Sequence, residues 1–386
     1  MRTADVVIVG GGIIGCAIAF YLSRQKVKVV LLEKSGLCSG TSGACDGTVF
    51  MQTKKPGPHL RMAMESRKRF NWLQERLPLD FEFEAGGGLV IAESAEELEA
   101  LRRHVEEQSG VGLDVRLLDS AQLSEIEPNL AETILGAAHS PLDAQVNPLL
   151  LTLGFAEAAL DLGSDIRAHC PVVALDVENG RIVSVRTKKE TISTPVVVNA
   201  AGAFASQIAR MVGLEVPIEP RRGQLLVTES VPQLIGRVVI SGRYILAKYN
   251  PELAAQKGEG LSMEQTASGN LLLGATREFV GFDTSTTYEK LQGIAAQAIR
   301  VLPRLKNMMV IRAFAGLRPY TPDGYPFMGP VEQVEGFMMA AGHEGDGIAF
   351  APLMGEIISQ LIVDGKTSLM IDEMKASRLT GIETRK

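Results

Sequence analysis

Three glycines near the start of the chain have the spacing to hold a phosphate. Gly10-x-Gly12-x-x-Gly15 follows the apolar run ADVVIV (residues 4–9) and opens a stretch, residues 13–25, that reads as a helix. The first glycine permits a tight turn, the second lets the backbone approach a pyrophosphate, and the third lets helix and strand pack closely. The helix N-terminus then points unpaired N–H groups and a partial positive charge at the phosphates. Glu33 ends a second apolar run, VKVVLLE, eighteen residues after Gly15. A carboxylate there accepts hydrogen bonds from ribose hydroxyls and repels a 2′-phosphate, so NADP is disfavoured. Glycines, flanking strand and helix, and acid together predict a dinucleotide site, while the fingerprint alone leaves NAD and FAD open. Its place at the chain start, with further glycine turns far downstream, favours FAD, an extended cofactor that is held at its isoalloxazine end as well.

The elements that position these residues follow from periodicity and turn chemistry. Strand, turn, helix and strand make a complete βαβ unit of the first 33 residues. Residues 35–48 form a loop of Gly, Ser, Thr and Cys, and residues 60–77 read as a helix. Strands are expected within 81–92, and Ser94 with Glu97 gives the capping signature of a surface helix over 94–108. A helix is read at 149–162, then strands at 172–178 and 181–187 joined by Asn179-Gly180, a strong hairpin signal. PVVVNAAG (195–202) is a buried strand entering a second glycine turn, with Ala201 and Gly202 facing the cofactor. Residues 224–283 alternate apolar and polar and predict an antiparallel sheet; 250–262 read as a lid or an interface loop. A helix at 288–303, a strand at 337–341, a Gly-rich loop at 342–347 and a helix at 351–363 complete the chain. Dinucleotide-type elements stand at the start, middle and end, so two interleaved domains are expected. The fold class is α/β (α+β): a Rossmann-like cofactor domain (1–80, 145–220, 312–386) interleaved with an antiparallel-sheet substrate domain (81–144, 221–311).

Composition removes other classes. The chain has 386 residues, 46% hydrophobic and 22% charged, an ordinary globular balance that excludes a disordered or fibrous protein. Net charge is −6, whereas a nucleic-acid binder needs a dense basic surface. Cys16, Cys38, Cys45 and Cys170 include no C-x-x-C pair, and no His cluster completes a zinc site, so no metal is expected. Free thiols point to a reducing, cytoplasmic compartment. The apolar start is broken by three glycines and preceded by Asp5, so it is not read as a signal peptide, and no transmembrane run is found.

Four ordered motifs carry a family resemblance: VVIVGGGIIGCAIAFYLS, VVVNAAG, AGLRPYTPDGYPFMGP and AAGHEGDGIAFAP. The chain resembles the D-amino-acid oxidase/glycine oxidase (DAO) family of FAD-dependent amine oxidoreductases. TSGACDG, KKPGPHL, GLSMEQTASGNLLLGATREFVGFD and GHEGDGIA bring it closer to the catalytic subunits of hydrogen cyanide synthase, opine oxidase and (hydroxy)proline dehydrogenase complexes. The resemblance implies that Ile13 and Ile14 lie at the pyrophosphate turn and Glu33 and Lys34 at the adenosine ribose. It implies phosphate-side hydroxyls from Thr41 and Ser42, flavin contact near Asp46, Gly47 and Thr48, and an adenine contact from the backbone of Val172. Gly342, His343, Glu344, Gly345, Asp346, Gly347, Ile348 and Ala349 match the loop over the isoalloxazine.

The chemistry this implies is hydride transfer from a substrate α-carbon to flavin N5, leaving an imine that water hydrolyses. Arg318 is expected to grip the substrate carboxylate with its guanidinium fork, and Tyr244 to reach the same carboxylate. His343 is a candidate general base, though packing against the flavin is its stronger reading. Where glycine oxidase carries a second arginine in the loop, this chain has Gly345 between Glu344 and Asp346. That departure lowers the expectation for glycine itself and leaves room for a bulkier or more cationic substrate. Covalent-flavin members carry a cysteine near the GLRP motif; none lies there in this sequence, so noncovalent FAD is expected. Substrates of the proline, hydroxyproline, opine, glycine or sarcosine class fit, with partner subunits carrying electrons onward and a peripheral place at the inner membrane face left open. A stand-alone peroxide-forming oxidase is the alternative within the enzyme class, and a non-catalytic flavin-binding subunit is the alternative outside it.

Overall fold

A computed structural model describes residues 2–243, 245, 260–369 and 372–381. Tyr244 and most of the expected lid or interface loop, residues 250–259, lie outside the described residues.

The βαβ unit forms as the sequence implies. Strands Val6–Val9 and Val29–Leu32 pair in parallel, Val6 opposite Val29 and Val9 opposite Leu32, with helix Ile13–Arg24 between them. Both faces of these strands are buried, which is why they read as continuous apolar runs and not as alternation. They are the centre of a six-stranded sheet in the order Phe327–Pro330, Phe337–Ala341, Val196–Asn199, Val6–Val9, Val29–Leu32, Asp165–Arg167. All pairs are parallel except the edge strand Phe327–Pro330. The first helix is buried without interruption from Ile13 to Ser23 and packs on helices Pro148–Asp161 and Gly347–Val363. Burying Ile18 and Leu22 there, both fully inaccessible, stabilises by roughly 1.5–3 kcal/mol each. The close approach needs Gly355, where a Cβ would fall 2.6 Å from Tyr21 and 3.0 Å from the Ala17 backbone.

The second large sheet has eight strands: Val310–Tyr320, Glu219–Ser230, Asn270–Gly274, Ser262–Gln265, Val238–Ser241, Gly88–Ala92, Gly136–Ser140 and Arg116–Asp119. The expected antiparallel order holds except at Val238–Ser241, which runs parallel to Gly88–Ala92. Those two strands are separated by a long excursion through the other sheet, and parallel pairing requires such a crossover. Helix Tyr288–Val301 covers this sheet through Ile294, Ala298 and Val301 on a core with Leu89, Val239 and Met263. The hairpin at Val172–Glu178 and Arg181–Thr187 turns through Asn179 and Gly180 at φ 50° and 76°, the left-handed pair that a two-residue hairpin loop requires. The last helix starts at Gly347, one turn earlier than residue 351, so the Gly-rich loop ends directly on a helix N-terminus. Among the described residues no helix is long and apolar enough to cross a membrane.

Candidate active site

The carboxyl ends of the parallel strands and one face of the eight-stranded sheet enclose a cavity of about 640 Å³. Gly10, Glu33, Ala201 and His343 reach it from the strand ends, and Gly223, Ala275, Gly316 and Arg318 from the second sheet. Ligands of open α/β sheets bind at this end of the strands.

The glycine turn is shaped for a close approach. Gly10 has φ 118°, and a Cβ on it would lie 2.4 Å from the Ala200 carbonyl. Gly12, Ile13 and Ile14 line the cavity, and the Ile13 N–H donates to Ser42 Oγ at 3.0 Å. Gly15 is a packing residue behind them: a Cβ would sit 2.0 Å from the Gly10 carbonyl. Glu33 accepts from the Gly11 N–H at 2.7 Å and the Ser35 N–H at 2.8 Å, which fixes its carboxylate at the cavity wall. Lys34 lines the cavity beside it with Nζ 3.0 Å from the centroid of the Phe204 ring. Burial lowers the Lys34 pKa, and Glu33 offsets this in part. Val172, Ala201 and Gly202 line the same region.

The loop 41–48 crosses from this end to the other. Thr41 lines the cavity and donates from Oγ1 to the Leu317 carbonyl at 2.5 Å, tying the loop to the GLRPY strand. Asp46 also lines it, accepting from Thr48 and Ser262 at 3.2 Å each. Gly47 lies behind the wall, its N–H donating to Glu264 at 2.8 Å. Burial, reinforced by Asp46, pushes the Glu264 carboxyl well above the usual carboxylate range. Cys45 lines the cavity too. It is far from GLRP in sequence, yet the Thr41 tether brings its loop against that strand. Burial and then Asp46 raise its thiol well above its ordinary value, so it stays protonated.

Arg318 lines the opposite end, donating from Nη1 to the Thr276 carbonyl at 2.9 Å. Its guanidinium lies over Gly223, whose absent Cβ would fall 2.3 Å from Nη1. Burial lowers its pKa, which Glu344 partly restores from 3.9 Å at Nε. Arg221 pairs with Glu344. Burial raises the Glu344 carboxyl, but Arg221, Arg318 and Arg277 outweigh this and hold it below the usual carboxylate range. Asp346 pairs with Lys54 at 2.7 Å and stands 3.5 Å from His59. Both acids of the loop are therefore paired with the protein's own cations. His343 is buried, and its Nε2 has no hydrogen-bond partner among the described residues. Burial lowers its pKa to about 4, with Asp346 pulling it up only in part, so the ring is neutral near pH 7.

Most expected site residues thus meet around one cavity, including Glu344, Gly345, Asp346, Gly347 and Ile348. Gly15, Gly47, Gly342 and Ala349 do not line it; Gly342 serves its turn at φ 94° and Ala349 is buried in the last helix. Lys54, Phe204, Arg221 and Arg277 were not anticipated. Their long-range partners leave no spacing signal; Lys54 and Arg277 lie within the stretches KKPGPHL and GLSMEQTASGNLLLGATREFVGFD, whose resemblance assigned neither of them a role.

A Rossmann-type glycine turn continuous with an arginine-bearing pocket defines a dinucleotide-dependent oxidoreductase. The chain belongs to the DAO family of FAD-dependent oxidoreductases, whose family model matches residues 5–361. It is 30% identical to the hydrogen cyanide synthase subunit HcnC of Pseudomonas protegens, covering 99% of this chain and 98% of that one. It is 29% identical to the glycine oxidase of Geobacillus kaustophilus, over 98% and 97% of the two chains. Among solved structures, the L-proline dehydrogenase from P. horikoshii superposes with a TM-score of 0.89 at 29% identity, covering 98% of each chain. It is accordingly an FAD-dependent amino acid oxidoreductase. The cavity fits that cofactor: a glycine cradle and Glu33 stand at one end, and the N-terminus of the last helix adjoins the cradle, with a Cβ on Gly347 falling 3.9 Å from Ile13.

Proposed function

We propose that the protein oxidises the CH–NH bond of an amino acid or secondary amine acid whose carboxylate is gripped by Arg318. The observation that carries this reading is the Arg318 guanidinium, held in the cavity by Thr276 and Glu344 with a glycine beneath it. Such a tethered fork presents parallel donors to a carboxylate and fixes the α-carbon relative to the cofactor. FAD, when bound, supplies the acceptor for the two electrons and the α-hydrogen. The substrate leaves as an imine, its amine proton passes to solvent, and water hydrolyses the imine.

The chain's own residues divide the remaining work. Gly12, Ile13, Thr41 and Ser42 receive the phosphates, Glu33 and Lys34 the adenosine ribose, and Val172 the adenine. The Gly342–Asp346 loop and the helix N-terminus at Gly347 would hold the cofactor's ring system, where their N–H groups and the helix dipole favour negative charge. His343 packs there as a neutral ring, too weak a base to hold a proton at neutral pH. FAD is taken as noncovalent, because no cysteine lies near the GLRP motif in the sequence. The six-stranded sheet and its helices form the cofactor domain, and the eight-stranded sheet forms the substrate domain.

Similarity to a hydrogen cyanide synthase subunit and to an L-proline dehydrogenase supports our reading of a dehydrogenase subunit, which would pass electrons to partner subunits. Similarity to glycine oxidase supports the second reading, a stand-alone oxidase that delivers them to oxygen. Anaerobic spectroscopy with both enantiomers of proline, the hydroxyprolines, glycine, sarcosine and an opine tests the chemistry, and admitting air separates the two readings. Fast recolouring with peroxide means an oxidase; slow recolouring that a dye accelerates means a dehydrogenase. Arg318→Ala is expected to keep bound yellow FAD and to lose at least about a hundredfold in substrate-dependent reduction, in line with a lost charge-assisted pair. Normal reduction by this variant would refute the carboxylate assignment.

A further inference from the structure

Among the described residues, Glu33, Asp46, Glu344 and Asp346 are the acids that line the cavity. Glu344 pairs with Arg221, Asp346 pairs with Lys54, and Glu33 accepts from two backbone amides. Asp46 differs. Among the described residues its hydrogen bonds come from two hydroxyls, Thr48 Oγ1 and Ser262 Oγ, both in the cavity wall. A carboxylate has about four acceptor sites, so these hydroxyls leave it capacity for further donors. Its loop packs on the strand that carries Arg318, where a Cβ on Gly316 would fall 2.1 Å from the Ala44 carbonyl, and its charge reaches the Arg318 guanidinium. Next to it, Glu264 is buried; Oε1 accepts from the Gly47 N–H, and Oε2 has no hydrogen-bond partner among the described residues. Burial, and then the charge of Asp46, favour the protonated form of that carboxyl. This wall therefore favours a proton on a carboxyl group.

We propose that Asp46 is a catalytic residue that receives the substrate's ammonium group and takes one proton from it. This rests on the preceding reading of the site as an amine oxidation with the carboxylate on Arg318. At neutral pH the amine arrives as a cation, and a buried cation without an anion is costly. Asp46 supplies the anion. In the step itself, one N–H bond of the ammonium breaks and its electron pair stays on nitrogen, while an O–H bond forms on the Asp46 carboxylate. The freed lone pair then closes the C=N bond as the α-hydrogen leaves with its electron pair, and the proton passes from Asp46 to solvent after the product has gone. Burial favours this transfer, because it turns an ammonium and a carboxylate into two neutral groups.

The test follows anaerobic reduction of the FAD-loaded protein by the same panel of amines across pH. Asp46→Asn keeps the shape of the side chain and removes its charge. Its kcat/KM should fall by about a hundredfold at pH 7 and by only about tenfold or less at pH 9.5, where solution has already deprotonated part of the amine. A loss that is the same at every pH overturns the proposal. The other titratable groups here are Cys45 on the same loop, whose thiol burial pushes up, Arg318 on the facing strand, and Glu264 with Glu84 acting on it. The comparison is therefore repeated in a Glu264→Gln background; a pH response that vanishes there belongs to Glu264 and overturns the proposal as well. A second readout needs no turnover. Methoxyacetate and tetrahydrofuran-2-carboxylate, the ether counterparts of sarcosine and proline, carry no ammonium, and their perturbation of the oxidised flavin spectrum should keep its Kd within about threefold in Asp46→Asn. If the ethers weaken as much as the amines, Asp46 shapes the pocket and does not take the proton. Should Asp46→Asn fail to fold, the unsubstituted protein decides: its kcat/KM should stay within about threefold between pH 7 and 9, and a tenfold rise per unit would mean that only the free amine is accepted. An Arg318→Ala variant that reduces normally refutes the clamp and leaves the pH comparison at Asp46 to be judged separately. Failure of every amine to bleach the flavin refutes both.

Discussion

The two ends of the cavity are built by different means. At the cofactor end the working parts are backbone groups of neighbouring residues: the Gly10–Gly15 turn, the start of the first helix, and two amides that fix Glu33. At the substrate end they are side-chain charges from distant segments, Arg221, Arg277, Arg318 and Glu344, held in register by one long strand pair and one loop. A backbone cradle is rigid because its atoms have nowhere to go. A cluster of guanidinium groups is adjustable, because each can swing on its stem. One added methyl group should therefore act very differently at the two ends.

At the cofactor end, Gly15→Ala places Cβ 2.0 Å from the Gly10 carbonyl. The obstructing carbonyl is backbone and not the end of a flexible side chain, so helix and strand must separate. We expect a loss of about 3 kcal/mol or more in stability, as for a severe overpacking of a core, and a protein purified without yellow colour. Denaturant melts and the flavin absorbance check this; a stable, fully yellow variant would break the contrast.

At the substrate end, Gly223→Ala places Cβ 2.3 Å from Arg318 Nη1, the far end of a flexible chain. The guanidinium moves and the fold stays. The expected outcome is full FAD content and a near-native melt, with substrate-dependent reduction down by about a hundredfold, the ~3 kcal/mol of a misplaced charge-assisted pair. A variant that also sheds FAD would show that the two ends are mechanically coupled.

The same difference decides what the sequence reveals. The βαβ unit, the fingerprint, Glu33 and the Asn179-Gly180 hairpin are each specified by residues close in the chain, so spacing and turn chemistry suffice. Arg318 has no such local signature and was legible through family resemblance alone; the Gly-rich loop at 342–347 was legible from its composition, and only its role came from the resemblance. The Arg221–Glu344 and Lys54–Asp346 pairs join residues far apart in the chain, so no local pattern marks them. The parallel pairing of Val238–Ser241 with Gly88–Ala92 was hidden for the same reason: strand direction within a sheet is set by the chain's route between strands, not by alternation within them.

His343 lines the same cavity, and its titration tells which kind of residue it is. Its pKa falls from the ordinary 6.5 to about 4 in the folded protein, because burial disfavours the charged ring. Between those values the unfolded chain binds a proton that the folded chain refuses, so this residue's contribution to stability is present above pH 6.5 and lost as pH falls toward 4. Asp143 works in the opposite sense. Burial raises its carboxyl to about 7 despite hydrogen bonds from Gln52 and Met51, so the folded chain keeps a proton that the unfolded chain releases, and this contribution fades as pH rises. Between pH 5 and 7 these two contributions oppose each other, and removing the histidine leaves that of the carboxyl. His343→Asn is expected to gain about 2 kcal/mol relative to the unsubstituted protein on going from pH 7 to pH 5, measured as the change in the difference between their denaturant melts. A difference that does not move with pH would mean that His343 is solvated or paired in solution, and would shift it from the rigid, packed part of the site to the adjustable charged part.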